Sequence, residues 1–550
     1  MRNLTNLENE TFDLLILGGG VTGAAILWDA TLRGLSCLLL ERGDYGHATS
    51  SATSKMAHGG LRYLKMMDFA LVRESLRERK ILQEIAPHQV RPLDFLLPTY
   101  KDWGRSRSFL WGAMSLYEAL SYDKGDLSDP DQRLKPFYRL KKDKILQEAP
   151  FLPEQNLTGC FVYQDCQIHD PERLVQSYIN GARGLGAQSY NYIEATNLTR
   201  SNGSITGVTA RDQISGKEHQ FKAKAIVNAT GPWSDRVLGM LKNKTTPHIK
   251  RSKGIHILVP KLPHDKAIAL FTKQGRHLFI LPWQGMTLFG TTDESYQGDP
   301  DDLKVSEQDL SRFLGDINQA LPQLNLKLSD IRYFYGGLRP MTASATQQGA
   351  NSYNLSRKHE IFDHALEGAA GLYSATGGKF TTSRGLAEEC LDLIIKKERL
   401  TSQACKTAST PLWGGNIGNL DRFIYRLRLQ WPKQDPDWIT SLVHRYGDRA
   451  PEILIRADGA KDQILCHLTP LHTAEVHYAM EQEQAWHLSD LLFRRLGIGN
   501  LGNPGSSCLM GLAAMLADKR GWSQEQVYEE ARSCGKHFIP GSPLYRITGS

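Results

Sequence analysis

The chain has 550 residues, 41% of them hydrophobic and 23% charged, which is too long for one ordinary core and excludes disordered or collagen-like chains. Its net charge of +7 is too mild and too dispersed to argue for nucleic acid, but suits an anionic substrate or an anionic membrane surface. Eight scattered cysteines without a CxxC pair give no zinc or iron–sulfur signature, so no metal is expected, and they fit a reducing compartment.

The start, MRNLTNLENETFD, is polar and lacks a signal-peptide apolar stretch. No run of about 18 apolar residues follows, so membrane contact is expected to be peripheral. The segment FDLLILGGGVTGAAILWDATLRGLSCLLLERGD then reads as strand, glycine turn, helix and strand. Gly18, Gly20 and Gly23 stand in G-x-G-x-x-G spacing, Thr22 lies between the last two, and Glu41 ends the second strand. Such a unit places a pyrophosphate at the helix N-terminus and a ribose on the acid.

An NAD domain would continue into another crossover here. Instead residues 48–64 read ATSSATSKMAHGGLRYL, which suits donors laid along a longer dinucleotide, FAD. Thr49, Ser50 and Ser51 are expected at the phosphate and ribitol region. Lys55, His58, Gly59 and Gly60 are expected to pass under the flavin, with Arg62 and Tyr63 entering a substrate pocket. Further on, WGRSRSFLWGAMSLYEAL (103–120) mixes cations with large apolar side chains and is a candidate to lie on a bilayer or on a protein surface.

AIVNATGPWSD (225–235) is an apolar strand ending in Ala229, Thr230 and Gly231. Residues 245–364 alternate over short runs, among them GIHILVP, HLFILPW, TLFGTTD and IRYFYGGLRP, and are expected to form an antiparallel sheet over the flavin. His256 is a base candidate because an imidazole near neutral pKa accepts a hydroxyl proton, although a lone strand histidine is more often a core residue. Arg339, after Gly336 and Gly337, and Arg357, in SRKHEIF, are candidates for a phosphate. GLYSATGGKFTTSRGLAEECLDLII (371–395) gives a strand, a glycine turn and a helix. Gly378, Lys379, Phe380 and Thr381 are expected at the flavin, and Lys379 at the substrate as well.

After a polar linker, residues 416–550 show helical spacing throughout, including a basic amphipathic stretch RFIYRLRLQW. No EF-hand spacing is present, so calcium control is not implied.

Taken together, GGGVTGAAI, ATSSATSKMAHGGLRYL, NATGPWSD, KGIHILVP, GTTDESYQGDP, GGLRPM, SRKHEIF and TGGKFTTSR resemble the FAD-dependent glycerol-3-phosphate dehydrogenases of the D-amino-acid-oxidase-like superfamily. The resemblance covers residues 10–395 and extends weakly into the tail. It implies an α/β fold: a Rossmann-like FAD-binding domain (10–75, 155–240 and 365–395) interleaved with an antiparallel-sheet substrate domain (76–154 and 245–364), followed by an all-helical cap (405–550). It implies noncovalent FAD, oxidation of sn-glycerol 3-phosphate to dihydroxyacetone phosphate, and usually a quinone acceptor at the inner face of the cytoplasmic membrane. It favours His256 as base, with Arg339 and Lys379 catalytic and Arg62, Tyr63 and Arg357 completing the substrate site. The amphipathic stretches fit a membrane surface or a homodimer face. Alternatives are an oxygen-using soluble oxidase, an amine or amino-acid oxidase on the same scaffold, and a non-catalytic flavin sensor.

Overall fold

The computed structural model describes residues 4–241, 249–271, 277–342, 358–457, 466, 468–469, 471–542 and 544; of residues 62, 65 and 103 only the backbone is described. The apolar run Thr11–Leu17 forms a strand whose last four residues are buried. It pairs in parallel with Cys37–Leu40 on one side and Glu218–Asn228 on the other. Leu372–Thr376 extends the parallel sheet beyond Glu218–Asn228, and Gln188–Tyr190 extends it past Cys37–Leu40. Because the strands run the same way, the turns after Leu17, Leu40, Asn228 and Thr376 meet at one carboxyl edge, where ligands bind in such sheets.

The helices Val21–Leu32, Pro171–Gly184 and Ser383–Glu398 share one apolar core with this sheet. Gly23 makes the helix-to-strand contact possible: a Cβ there would lie 1.9 Å from the Gly18 carbonyl oxygen.

The second sheet is mostly antiparallel. Its centre is Ile249–Pro260, paired with Met286–Gly290 and Tyr333–Thr342. Ile255, Ile257 and Val259 point to one face, where they meet Phe313, Leu314 and Ile317 of the helix Glu307–Ala320. The intervening residues Ser252, Gly254 and His256 therefore lie on the opposite face, by the two-residue period of a strand. The expected antiparallel sheet is present. One boundary differs: Leu157–Ile168, within the 155–240 segment expected in the first domain, runs in the second sheet. Its long antiparallel ladder with Val90–Tyr100 holds it there, and Met56–Ala57 pairs with its far end. The chain returns to the first layer only with the helix Pro171–Gly184.

Beyond residue 415 the described residues carry helices and no strand, as the spacing predicts. Their cores are two clusters, one under Leu420–Gln430 and Pro436–Tyr446 and one under Ser506–Arg520 and Gln524–Gly535. Among the described residues no helix is long and apolar enough to cross a membrane.

Candidate active site

A cleft follows the carboxyl edge of the first sheet. Its walls include Gly18, Gly20 and Thr22 of the glycine turn, Glu41, and the turn Ala229–Gly231. Gly18 has φ +104°, and a Cβ there would lie 2.6 Å from the Ala229 oxygen, so the turn needs glycine. The Glu41 carboxylate is held at the base of the turn by the N–H groups of Gly19 (2.6 Å) and Gly43 (2.7 Å). Glycine turn, helix N-terminus and strand-end acid are the donor and acceptor set that an adenosine dinucleotide requires. Trp233 and Arg42 close the outer end: the guanidinium stacks 4.6 Å from the ring and pairs with Asp301, which also binds Arg236.

A second chamber opens from the inner end of the cleft. The two share Thr49, Thr53, Pro340, Gly378, Lys379 and Phe380 as walls. The shared wall is where the flavin end of a dinucleotide would reach, so the residues present fit FAD. The helix Ser383–Glu398 begins just past Gly377 and Gly378, whose φ values are +75° and +81°.

His256 and Arg339 face this second chamber. The register sets Gly290 and Tyr335 on either side of His256, and Ser252 opposite Arg339. The imidazole stacks on Tyr335 with centroids 4.9 Å apart, and Nε2 shares a 2.8 Å hydrogen bond with Ser54 Oγ. Nδ1 is buried and has no hydrogen-bond partner among the described residues. Burial, then the cations of Arg339 and Lys55, push the His256 pKa well below its usual value, so the ring is neutral. The Arg339 guanidinium lies over Gly254, where a Cβ would come within 2.1 Å of Nη2. Its Nη2 donates to Thr291 Oγ1 (2.7 Å) and the Thr292 oxygen (3.0 Å), and Nη1 to Ser252 Oγ (3.3 Å). Ser252 in turn donates to Asp293. Lys379 sits with its ammonium 4.1 Å from the Tyr63 ring centroid and 2.7 Å from Ser75 Oγ.

The structure thus brings His256, Arg339, Lys379, Tyr63, His58, Gly60 and Thr381 to one chamber. Others are placed differently. Lys55 does not line either cavity: its ammonium is buried on Glu172 at 3.0 Å and on the Ser51 oxygen. Burial drives it there, since an ammonium out of water needs a carboxylate. Burial pushes the Glu172 carboxyl upward, against the pull of the Lys55 ammonium. The hydroxyls at 49–51 have protein partners: Thr49 donates to Leu338 O, Ser51 to Ala48 O, and Ser50 accepts from the Val21 N–H that opens the first helix. Thr49 and Ser50 still line the cleft, whereas Ser51, Gly23 and Gly59 do not. The Arg62 side chain and all of Arg357 lie outside the described residues. Sequence reasoning passed over Ser54, Asp293 and Tyr335. The signal for the first was its place in the hydroxyl run, and for the second the acid ending GTTD; Tyr335 carried none.

Residues 13–393 match the family described as FAD dependent oxidoreductase, and residues 405–527 the C-terminal domain of alpha-glycerophosphate oxidase. The chain is 35% identical to glycerol-3-phosphate dehydrogenase of Synechocystis sp. over 96% of both chains. It is 32% identical to aerobic glycerol-3-phosphate dehydrogenase of Bacillus subtilis, over 90% of this chain and 89% of the relative. The crystal structure of glycerol-3-phosphate dehydrogenase from Bacillus halodurans complexed with FAD superposes with a TM-score of 0.78 at 26% identity, covering 99% of this chain and 98% of that one.

Proposed function

Because the chain belongs to the FAD-dependent glycerol-3-phosphate dehydrogenases, we propose that it oxidises sn-glycerol 3-phosphate to dihydroxyacetone phosphate and passes the electrons to a quinone. The observation that carries this reading is the chamber in which neutral His256 and the Arg339 guanidinium share a sheet face, behind the wall common to the FAD cleft.

Bound FAD supplies the hydride acceptor. Glu41, Gly18, Gly20 and Thr22 hold its nucleotide half, with Ala229–Gly231, Thr49 and Ser50 along the pyrophosphate, and Gly378–Thr381, His58 and Gly60 at the ring end. His256 Nε2 takes the carbinol proton, because burial and the neighbouring cations keep the ring unprotonated. A dianion arriving beside it offsets those cations and raises its proton affinity during the reaction. Arg339 offers a planar fork to the phosphate or the carbinol oxygen. Lys379 adds a further positive charge to the chamber, its ammonium held over the Tyr63 ring.

The quinone and membrane reading rests on the outer wall of the chamber. Phe109 and Leu116 of the helix Arg107–Leu120 line it while being 39% and 40% exposed, and Trp111 on the same helix is 58% exposed. Met67, 72% exposed, stands at the end of the neighbouring turn. Large apolar side chains at a cavity mouth suit an apolar electron acceptor and peripheral seating on a bilayer face. The seating proposed here is on the inner face of the cytoplasmic membrane, and the exposed Phe109, Trp111 and Met67 support contact with a bilayer.

The test is anaerobic. Glycerol 3-phosphate bleaches the flavin absorbance while glycerol and sarcosine do not, and quinone restores the colour faster than air. Equal bleaching by glycerol would remove the phosphate site, and faster recovery in air would replace the dehydrogenase by an oxidase.

A further inference from the structure

Arg42 and Gly46–Ser50 form one wall of the nucleotide cleft. Two residues in this segment, Asp44 and Tyr45, turn away from the cleft and are seized by the C-terminal helical domain. The Asp44 carboxylate is fully buried. Its Oδ2 accepts from Arg494 Nε at 2.5 Å and Arg495 Nη1 at 2.9 Å; its Oδ1 accepts from Arg495 Nη2 at 2.7 Å and Asn191 Nδ2 at 2.8 Å. Arg494 is steadied by Asp490, which also takes the Tyr192 hydroxyl and the N–H groups of Trp486 and His487. The Tyr45 hydroxyl donates to Gln484 Oε1 at 2.8 Å.

These grips reach the cleft within two residues. The Tyr45 ring presses on the glycine turn: a Cβ at Gly19 would lie 2.7 Å from its Cδ1. Gly46 N–H donates to the Gly19 oxygen at 3.0 Å. The Asp44 main-chain oxygen accepts from His47 Nδ1 at 2.7 Å, and that ring stacks on Trp233. Two carboxylates and two guanidiniums removed from water make poor net stabilisers, because desolvation offsets their attraction. Their bidentate geometry instead fixes where the segment stands.

We propose that Asp44, held by Arg494 and Arg495, is a positioning residue through which the C-terminal domain keeps the Tyr45–His47 wall against Gly19 and so retains FAD. The inference rests on reading the cleft as the FAD site. In this view the helical domain completes the cofactor site from behind while touching neither cofactor nor substrate.

The test compares apoprotein variants by FAD titration and by the rise in Tm that FAD produces. Arg495→Lys keeps the charge but loses the paired bonds, and should weaken FAD about tenfold, the worth of one charge-assisted hydrogen bond, and shrink the FAD-dependent rise in Tm. Arg494→Gln should act in the same direction. Excess FAD should restore the wild-type flavin spectrum in both. Glu475→Gln is the reference: it breaks the buried Arg445–Glu475 pair inside the helical domain without reaching Asp44. It should lower the Tm equally with and without FAD and leave FAD affinity within about twofold. If Arg495→Lys fails to fold, Tyr45→Phe removes only the hydroxyl on Gln484 and should weaken FAD about fivefold. Wild-type affinity in the folded Arg495 or Tyr45 variant, or equal weakening by Glu475→Gln, overturns the proposal alone. Wild-type apoprotein that takes up no FAD overturns the cofactor reading with it.

Discussion

The His256 ring occupies the space where a side chain at Gly290 would stand: a Cβ there would lie 2.1 Å from Cδ2 and 2.6 Å from Nε2. The two residues face each other in the strand register, so the imidazole cannot retreat along the sheet. Gly290→Ala should push the ring off Ser54 and lower kcat by about 100-fold, the cost of roughly 1 Å of misplacement. FAD content should stay at the wild-type level. Unchanged turnover would remove His256 from the chemistry.

Arg339 offers a matching case on the neighbouring strand. Arg339→Lys loses the planar fork that meets Thr291, Thr292 and Ser252. The expected fall in kcat/KM is at least about 100-fold, near the upper worth of one hydrogen bond to a charge. Gly254→Ala should reproduce it, since a Cβ would displace the same guanidinium. Steady-state kinetics with glycerol 3-phosphate checks both; a Gly254 variant with wild-type kinetics would show that the notch does not orient the fork.

Stability should fall on the acid side. Burial lowers the pKa of His88 to about 3 and of His537 to about 4, and also lowers His169 and His256. The unfolded chain then binds more protons below about pH 6.5, so stability falls as pH drops below that value. Each such histidine costs about 1.4 kcal/mol per pH unit until its folded pKa is reached. His487, bonded to Glu530, is shifted upward and opposes this trend: its contribution is complete below about pH 6.5 and disappears as pH rises through its folded pKa. Chemical denaturation from pH 8 to pH 4 measures the slope, and His88→Leu should make it shallower by one proton.

At the chamber mouth, replacing Phe109 and Trp111 with Ser should reduce sedimentation with anionic vesicles by tenfold or more, since each buried side chain contributes roughly 1.5–3 kcal/mol. Quinone reduction should fall in parallel while anaerobic bleaching by substrate is retained. Loss of bleaching would place the helix Arg107–Leu120 in the substrate site instead.

Lys55→Met leaves Glu172 buried without its cation and should cost about 3–5 kcal/mol. Adding Glu172→Gln should recover much of it in a denaturation experiment, because the pair is then replaced as a unit. Equal FAD affinity in both folded variants is expected; weakened affinity would return Lys55 to the cofactor site.

The parts visible in sequence were those with short-range signatures. Gly18, Gly20 and Gly23 are spaced by the turn they make, and Glu41 follows at the end of a strand whose apolar run marks it. Strand alternation around His256 gave the second sheet. Hidden were contacts fixed only by tertiary placement: nothing local says that Lys55 would turn from a hydroxyl-rich run to Glu172, or that Asp44 would meet Arg495, 451 positions away. The layer of Leu157–Ile168 is hidden for the same reason, since it is set by the ladder with Val90–Tyr100 and not by the segment's own composition.

The first sheet takes its adjacent parallel strands from residues 11–17, 37–40, 218–228 and 372–376. A nascent chain therefore lacks the final strand until well over half of it has been made, and the loop closures involved favour slow assembly. Truncation before residue 372 should yield an aggregation-prone fragment whose unprotected edge lies at residues 226–228, since Glu218–Lys222 keep their pairing with Gly207–Arg211.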